Sequence, residues 1–283
     1  MTRIAVVGAA GMLGHDLMAV LPDAVPFTRA DLDVTDPDEA LETLDGFDVV
    51  VNATAWNRVD EAETSEAAAA EAHAVNALGP EHLALAARAG GARFVHVSTD
   101  YVFSGNEATP YRETAPRNPK SVYGATKAAG EERALGAHPD GTAIVRTAWL
   151  YGAHGTSFPR TMLRLAAERD TVSVVTDQIG QPTWTRDLAE QIARLIGAGT
   201  PAGIYHGTNA GEVSWFGFAR EVFRLAGLDP QRVLPTDSAS FVRPAPRPAY
   251  SVLGHDAWAA IGLAPMRPWE EAIAAAFAAG VFA

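Results

Sequence analysis

The stretch that decides the fold is Arg3-Ile4-Ala5-Val6-Val7 running straight into Gly8-Ala9-Ala10-Gly11-Met12-Leu13-Gly14. A short aliphatic run followed at once by three glycines spaced three apart reads as a strand, a tight turn and a helix start. Gly8 permits the turn, Gly11 lets backbone approach a pyrophosphate, and Gly14 allows close packing of helix on strand. The first helical turn then presents unpaired N–H groups to an anion. Gly8, Gly11, Met12, Leu13 and Gly14 are therefore expected to border a dinucleotide.

Working outward, apolar runs at 3–7, 24–27, 47–52, 93–98 and 143–146 alternate with helical stretches at 13–21, 37–44, 65–89 and 123–135. The runs lack polar/apolar alternation, as expected when helices cover both faces of a parallel sheet. Strand–helix–strand repetition predicts right-handed crossovers and a doubly wound α/β fold of Rossmann type. Beyond residue 150 the pattern loosens, with helices at 157–168, 186–196, 214–226 and 269–277 and strands at 172–175 and 203–206. The prolines of 242–250 exclude helix and central strand there. The expected division is a dinucleotide-binding domain at 1–150 and a mostly substrate-binding domain at 151–283, with some chain returning to the sheet.

Composition narrows the function. The chain has 283 residues and a formal net charge of -12, which opposes binding to nucleic acid, where a basic face must displace counterions. No apolar run approaches the roughly 20 residues of a membrane span, and from the strand-like start no signal peptide is expected. There is no Cys, which removes disulfides, thiolate nucleophiles and Cys-ligated zinc. The expectation is a cytoplasmic protein, monomer or homodimer, with no membrane or nucleic-acid partner.

Of the 22 basic residues only two are Lys, Lys120 and Lys127. Lys127 follows Tyr123 by four positions, which places both on one face of a helix. Six Tyr and two Lys scattered at random would give such a pair about one time in twenty-five. A phenol of ordinary pKa about 10 is a sluggish acid, and an adjacent ammonium is expected to lower it by ~3 units. Such a pair suits proton delivery to a carbonyl that receives a hydride. Upstream, the strand ending Val97-Ser98-Thr99-Asp100 places Thr99 at a sheet tip, where it can hydrogen-bond that carbonyl. Asn76, a poor helix former inside a helical stretch, can sustain a kink or a water. Arg29, near the second strand's tip, can pair with a ribose 2′-phosphate, which favours NADPH and leaves NADH open; Asp33 and Val34 suit an adenine edge. Ala55, Trp56 and Asn57 leave the third strand in a loop that can reach the cofactor.

Together these segments resemble the extended short-chain dehydrogenases, and more narrowly the dTDP-4-dehydrorhamnose reductases and the related dTDP-dihydrostreptose synthases. The resemblance is carried by GAAGMLG at 8–14, LDVTD at 32–36, STDYVF at 98–103, YGATKAAGE at 123–131 and RTAWLYG at 146–152. DQIGQPTW at 177–184 and RPAPRPAYSVLGHD at 243–256 extend it over nearly the full chain. It implies NADPH-dependent reduction at C4 of a dTDP-4-keto-6-deoxy-L-hexose, with Tyr123 as proton donor, Lys127 its partner and Thr99 the tuning hydroxyl. Thr99, Asp100 and Trp149 would border the sugar, and Arg247 would meet the pyrophosphate. Two departures stand out. Trp56, followed by Asn57 and Arg58, stands where the family usually carries Tyr or His, which implies a larger ring beside the nicotinamide. His15 stands where some relatives carry a Glu for a magnesium-linked dimer, so no metal is expected. Two rival readings are a sugar dehydratase, opposed by Tyr101 where those enzymes carry a base, and a cofactor-binding regulatory subunit.

Overall fold

The computed structural model describes residues 2–282. Its centre is built from β1 (Ile4–Val7), α1 (Met12–Val20), β2 (Val25–Phe27), α2 (Pro37–Thr43), β3 (Val49–Asn52), α3 (Val59–Thr64), α4 (Glu66–His73), α5 (Gly79–Ala89), β4 (Arg93–Thr99), α6 (Val122–Ala137) and β5 (Thr142–Thr147). The chain continues through β6 (Leu150–Tyr151), α7 (Phe158–Glu168), β7 (Val172–Val175), β8 (Ile179–Gly180), β9 (Thr183–Trp184), α8 (Thr185–Gly197) and β10 (Gly203–His206). It closes with β11 (Asn209–Ala210), β12 (Val213–Ser214), α9 (Trp215–Leu225), β13 (Val233–Thr236), α10 (Asp256–Ala260), β14 (Met266–Pro268) and α11 (Trp269–Ala278).

Six strands form one sheet in the order β10-β5-β4-β3-β1-β2, and every pairing is parallel. Alternate residues of each strand feed opposite cores. Val6, Val49, Val51, Val95 and Val97 join Leu13 and Leu17 of α1 and Leu188 and Ile192 of α8 on one face. Ala5, Val7, Val50 and Phe94 join Ala40 of α2 and Leu83, Ala84 and Ala87 of α5 on the other. This two-sided burial is why the strands read as continuous apolar runs. β10 comes from beyond residue 150 and supplies the sheet edge beside β5. A further core of α7, α9 and α11 packs around Phe218, Phe223 and Ile273.

Three features differ from the sequence reading. The stretch 65–89 is not one helix: α4 and α5 are separated by a π turn at Ala74–Leu78. The short helices α3 and α10 had no periodic signal, being six and five residues long. The two-residue strands β6, β8, β9, β11 and β12 are likewise too short to show a period. No helix among the described residues is long and apolar enough to cross a membrane.

Candidate active site

The chain runs from β1 outward to β2 and then returns to β3 on the other side of β1. Ligand crevices form at such reversals, beyond the strands' carboxyl ends. Here the tips of β1, β3, β4 and β5 open onto one groove of about 590 Å³. Gly8 sits at φ +90°, and a Cβ on it would lie 2.9 Å from Ala53 and Thr54 backbone atoms. A Cβ on Gly14 would lie 2.2 Å from the Gly8 carbonyl oxygen, so α1 seats directly on the glycine turn. Gly11 is the N-cap of α1 and no side chain caps that end, which leaves its N–H groups for an anion.

Gly8, Gly11, Met12, Leu13, Arg29, Asp33, Val34, Ala55, Trp56 and Asn57 all line this groove. Gly14 supports it from beneath. The Asp33 carboxylate accepts from Thr35 N–H at 3.0 Å and Thr35 Oγ1 at 2.7 Å. Those bonds hold its pKa below the usual range.

Thr99, Asp100, Tyr123, Lys127 and Trp149 line the same groove. Ser121 caps α6 by accepting from Gly124 N–H at 3.0 Å, and Glu63 Oε1 takes the Val122 N–H at 2.7 Å. The helix start is thereby fixed one residue before Tyr123. Lys127 Nζ donates to the Val97 carbonyl at 2.7 Å and lies 3.4 Å from His96 Nε2. Burial lowers the Lys127 pKa to about 8 against the pull of Glu131. His96 is kept neutral by burial and by the Lys127 charge. Asn52 Oδ1 accepts twice from Thr54, so Asn52 Nδ2 donates to His96 Nδ1 at 3.1 Å and the ring proton sits on Nε2.

The expected lowering of the Tyr123 phenol is not what the site does. Burial pushes it up to about 12; the Thr99 hydroxyl pulls back and the Asp100 charge adds to the rise. Lys127 spends its short contact on Val97. Tyr123 therefore carries its proton throughout the neutral range, the form a proton donor needs. Thr99 Oγ1 donates to Asp100 Oδ1 at 2.9 Å and accepts the Tyr101 N–H at 3.3 Å. Asp100 is raised to about 6 by burial, with the Ser251 and Thr99 hydroxyls opposing. Tyr101 packs edge-on to Tyr123, ring centroids 5.6 Å apart.

Trp149 adopts φ +47°, left-handed for a bulky residue, a conformation that costs on the order of 1–3 kcal/mol and persists only where surroundings enforce it. Its ring stacks on Trp215 at 3.5 Å. Trp56 lines the groove as well. Its ring is buried in an alanine cluster with Ala62, Ala68 and Ala72, and its Nε1 donates to Glu71 at 3.2 Å. Residues of α3 and α4 thus support the ring at the groove's wall. Asn76, in the π turn, clamps the Trp56 backbone by accepting its N–H and donating to its carbonyl, both at 2.9 Å.

Arg247 lies outside the main groove. With Lys120 it lines a smaller adjoining cavity that shares Tyr101 with the groove. Its Nη2 pairs with Asp60 Oδ1 at 2.9 Å, and Arg243 takes Asp60 Oδ2 at 2.9 Å. Asp60, Asn52, His96 and Glu131 were not singled out from sequence. A histidine inside an otherwise apolar strand was the one available signal. Among the described residues no group of three or more His, Asp or Glu side chains is placed to hold a metal ion.

Comparison with known proteins returns a consistent picture. The model of the RmlD substrate binding domain family matches residues 1–281. A dTDP-4-dehydrorhamnose reductase of Streptomyces griseus is 50% identical, covering 98% of this chain and 93% of that protein. A dTDP-4-keto-6-deoxy-D-glucose reductase of Streptomyces niveus is 49% identical over 97% of this chain and 96% of its own length. The solved dTDP-4-dehydrorhamnose reductase of Bacillus anthracis in complex with NADP superposes with a TM-score of 0.93 at 37% identity. That match covers 99% of this chain and 100% of the other.

Proposed function

The chain belongs to the RmlD substrate binding domain family, that of the dTDP-4-dehydrorhamnose reductases, and from that premise we propose which ketone it reduces and which residues act. It is an NADPH-dependent reductase. We read its substrate as a dTDP-4-keto-6-deoxy-L-hexose, dTDP-4-dehydrorhamnose, converted at C4 to dTDP-L-rhamnose in the cytoplasm by a monomer or homodimer. The observation that carries this reading is Thr99, Tyr123 and Lys127 meeting in one groove with the glycine turn.

The residues present suit the cofactor: the uncapped start of α1 above Gly8 would take the pyrophosphate, and Arg29 a 2′-phosphate. Asp33, Val34 and Ala55 to Asn57 would run along it. NADPH, when bound, supplies the hydride. Tyr123 gives its phenolic proton to the carbonyl oxygen, and Thr99 holds that oxygen in place. Lys127 would hold ribose hydroxyls and offset the phenolate charge left behind. Trp149 and Asp100 would border the sugar, and Arg247 the diphosphate. These cations would locally reverse the sign of a chain whose net charge is -12. Residues 1–150 would carry mostly the cofactor and 151–283 mostly the sugar. A dehydratase is disfavoured because Tyr101, held protonated by burial, is not available as a base.

The test follows NADPH absorbance with enzymatically generated dTDP-4-keto-L-rhamnose and identifies the product. Formation of dTDP-L-rhamnose is expected. Faster turnover of dTDP-4-keto-6-deoxy-D-glucose would shift the substrate to that of the Streptomyces niveus relative. Tight NADPH binding without consumption on any 4-keto sugar would instead indicate a regulatory subunit.

A further inference from the structure

Three bonds to one carboxylate hold the proline-rich segment 242–250 at its amino-terminal end. Asp60, in the first turn of α3, pairs through Oδ2 with Arg243 at 2.9 Å and through Oδ1 with Arg247 at 2.9 Å. Oδ1 also accepts the Ala245 N–H at 3.2 Å. The far end has other anchors: Tyr250 N–H donates to the Gly105 carbonyl at 3.0 Å, and Ile179 N–H to the Ala249 carbonyl at 2.8 Å. Phe241 and Val242, just ahead of Arg243, are exposed, which leaves the Arg247 end of the segment dependent on Asp60. Arg247 Nη1 donates to the Ala245 carbonyl at 3.2 Å and Nη2 to Asp60. Among the described residues these are the bonds its side chain makes, so most of a guanidinium's five N–H groups remain to be given. One carboxylate shared by two guanidinia also leaves the cluster positive.

Lys120 lines the same small cavity as Arg247, a space of about 110 Å³, and its Nζ spends one N–H on the neutral Asn118 amide at 3.1 Å. Ser121, the N-cap of the 16-residue helix α6, lines it too, so the positive end of that helix dipole lies at the cavity wall. The cavity meets the reaction groove at Tyr101, whose ring packs edge-on to Tyr123 with centroids 5.6 Å apart. A pyranose carries C1 and C4 on opposite sides of its ring. With a C4 ketone at Tyr123, the C1 diphosphate is directed away from the phenol, and the cavity one aromatic ring away offers it two cations. We propose that Asp60 is a positioning residue that fixes Arg247 in this cavity, and that Arg247 and Lys120 together clamp the diphosphate of the nucleotide-linked sugar. This rests on reading the substrate as a dTDP-linked sugar. It gives Lys120 a function, and it makes the six-residue helix α3 a shared support. Through Glu63, α3 holds the Val122 N–H at the start of the helix that carries Tyr123; through Asp60 it holds the segment that carries Arg247.

The experiment measures dTDP and NADPH affinity by calorimetry, and kcat and KM with the dTDP-4-keto sugar. The proteins are the wild type, Lys120→Ala, Arg247→Ala, Asp60→Asn and the Asp60→Asn/Arg247→Ala double variant. Each single variant should bind dTDP about tenfold or more weakly, with NADPH affinity within about threefold of wild type. The loss in turnover should fall on KM more than on kcat. Adding Asp60→Asn to Arg247→Ala should weaken dTDP by less than about twofold more, because the carboxylate then has no guanidinium to position. Lys120 is exposed, so Lys120→Ala leaves the core untouched; if it binds dTDP as the wild type does, the clamp is overturned. Tighter dTDP binding by Asp60→Asn would show the carboxylate competing with phosphate for Arg247 and overturn its positioning role. An equal loss of dTDP and NADPH affinity in Asp60→Asn would overturn that role as well, leaving Asp60 a general support of the fold. If the wild type itself binds no dTDP, the substrate reading fails and the proposal falls with it.

Discussion

Replacing Glu131 by Gln should unsettle both the core and the chemistry. The Glu131 side chain is 0% exposed and that of Arg146 is 1% exposed. Glu131 receives the Ser98 hydroxyl at 2.6 Å, Arg146 Nε at 2.9 Å and Arg146 Nη2 at 2.7 Å. The amide would keep one acceptor, turn a donor toward a guanidinium, and leave Arg146 buried without a counter-charge. Breaking one side of a buried pair costs on the order of 3–5 kcal/mol. At roughly 2–4 °C per kcal/mol for chains of this size, the melting temperature should drop by roughly 6–20 °C. Calorimetry at neutral pH measures it. Glu131→Leu combined with Arg146→Met should lose less, because neither charge is stranded. A single variant melting within about 2 °C of wild type would refute the reasoning. A second readout is kinetic: Glu131 holds the Lys127 pKa up against burial, so the variant's alkaline limb should move to lower pH.

Three further outcomes follow from the same geometry. Gly14→Ala forces its Cβ to 2.2 Å from a backbone carbonyl, so it should cost about 1–3 kcal/mol in a melt and weaken NADPH at least about tenfold by fluorescence titration. Asn76→Ala strips both partners from the buried Trp56 backbone and should cost about 1–3 kcal/mol for each group left unsatisfied, with weaker NADPH binding in the same titration. Lys127→Met should abolish activity yet raise stability. The folded-state Lys127 pKa lies at about 8, below its ordinary 10.5, so the unfolded chain binds more protons between those values. Wild-type stability should therefore rise with pH through that window by up to about 3 kcal/mol, a rise the Met variant should lack in pH-dependent melts.

The parallel sheet is legible because burial on both faces makes Ile4–Val7 and Val49–Asn52 continuous aliphatic runs. Tyr123 and Lys127 declare themselves by spacing and by the scarcity of lysine, and the structure sets both in one groove with Thr99. Other features depend on what side chains meet in space. The π turn at Ala74–Leu78 is written in residues that would serve an ordinary helix equally well. The bond of Asp60 to Arg247 spans 187 positions, and the seating of Trp56 among alanines depends on α3, a helix too short to show a period. The sign of the Tyr123 shift was hidden for a similar reason. A neighbouring ammonium is visible in the spacing, whereas the burial that raises the phenol and the turning of Lys127 Nζ to the Val97 carbonyl appear only when the groove is assembled.

The most direct test of the account is Tyr123→Phe, measured by NADPH binding and by single-turnover oxidation of NADPH with a dTDP-4-keto-6-deoxy sugar. If Tyr123 supplies the proton, NADPH affinity should stay within about threefold while the rate falls by about 10²–10⁴-fold. A rate within about tenfold of wild type would contradict that role, and a loss of rate that merely tracks lost NADPH binding would contradict it equally.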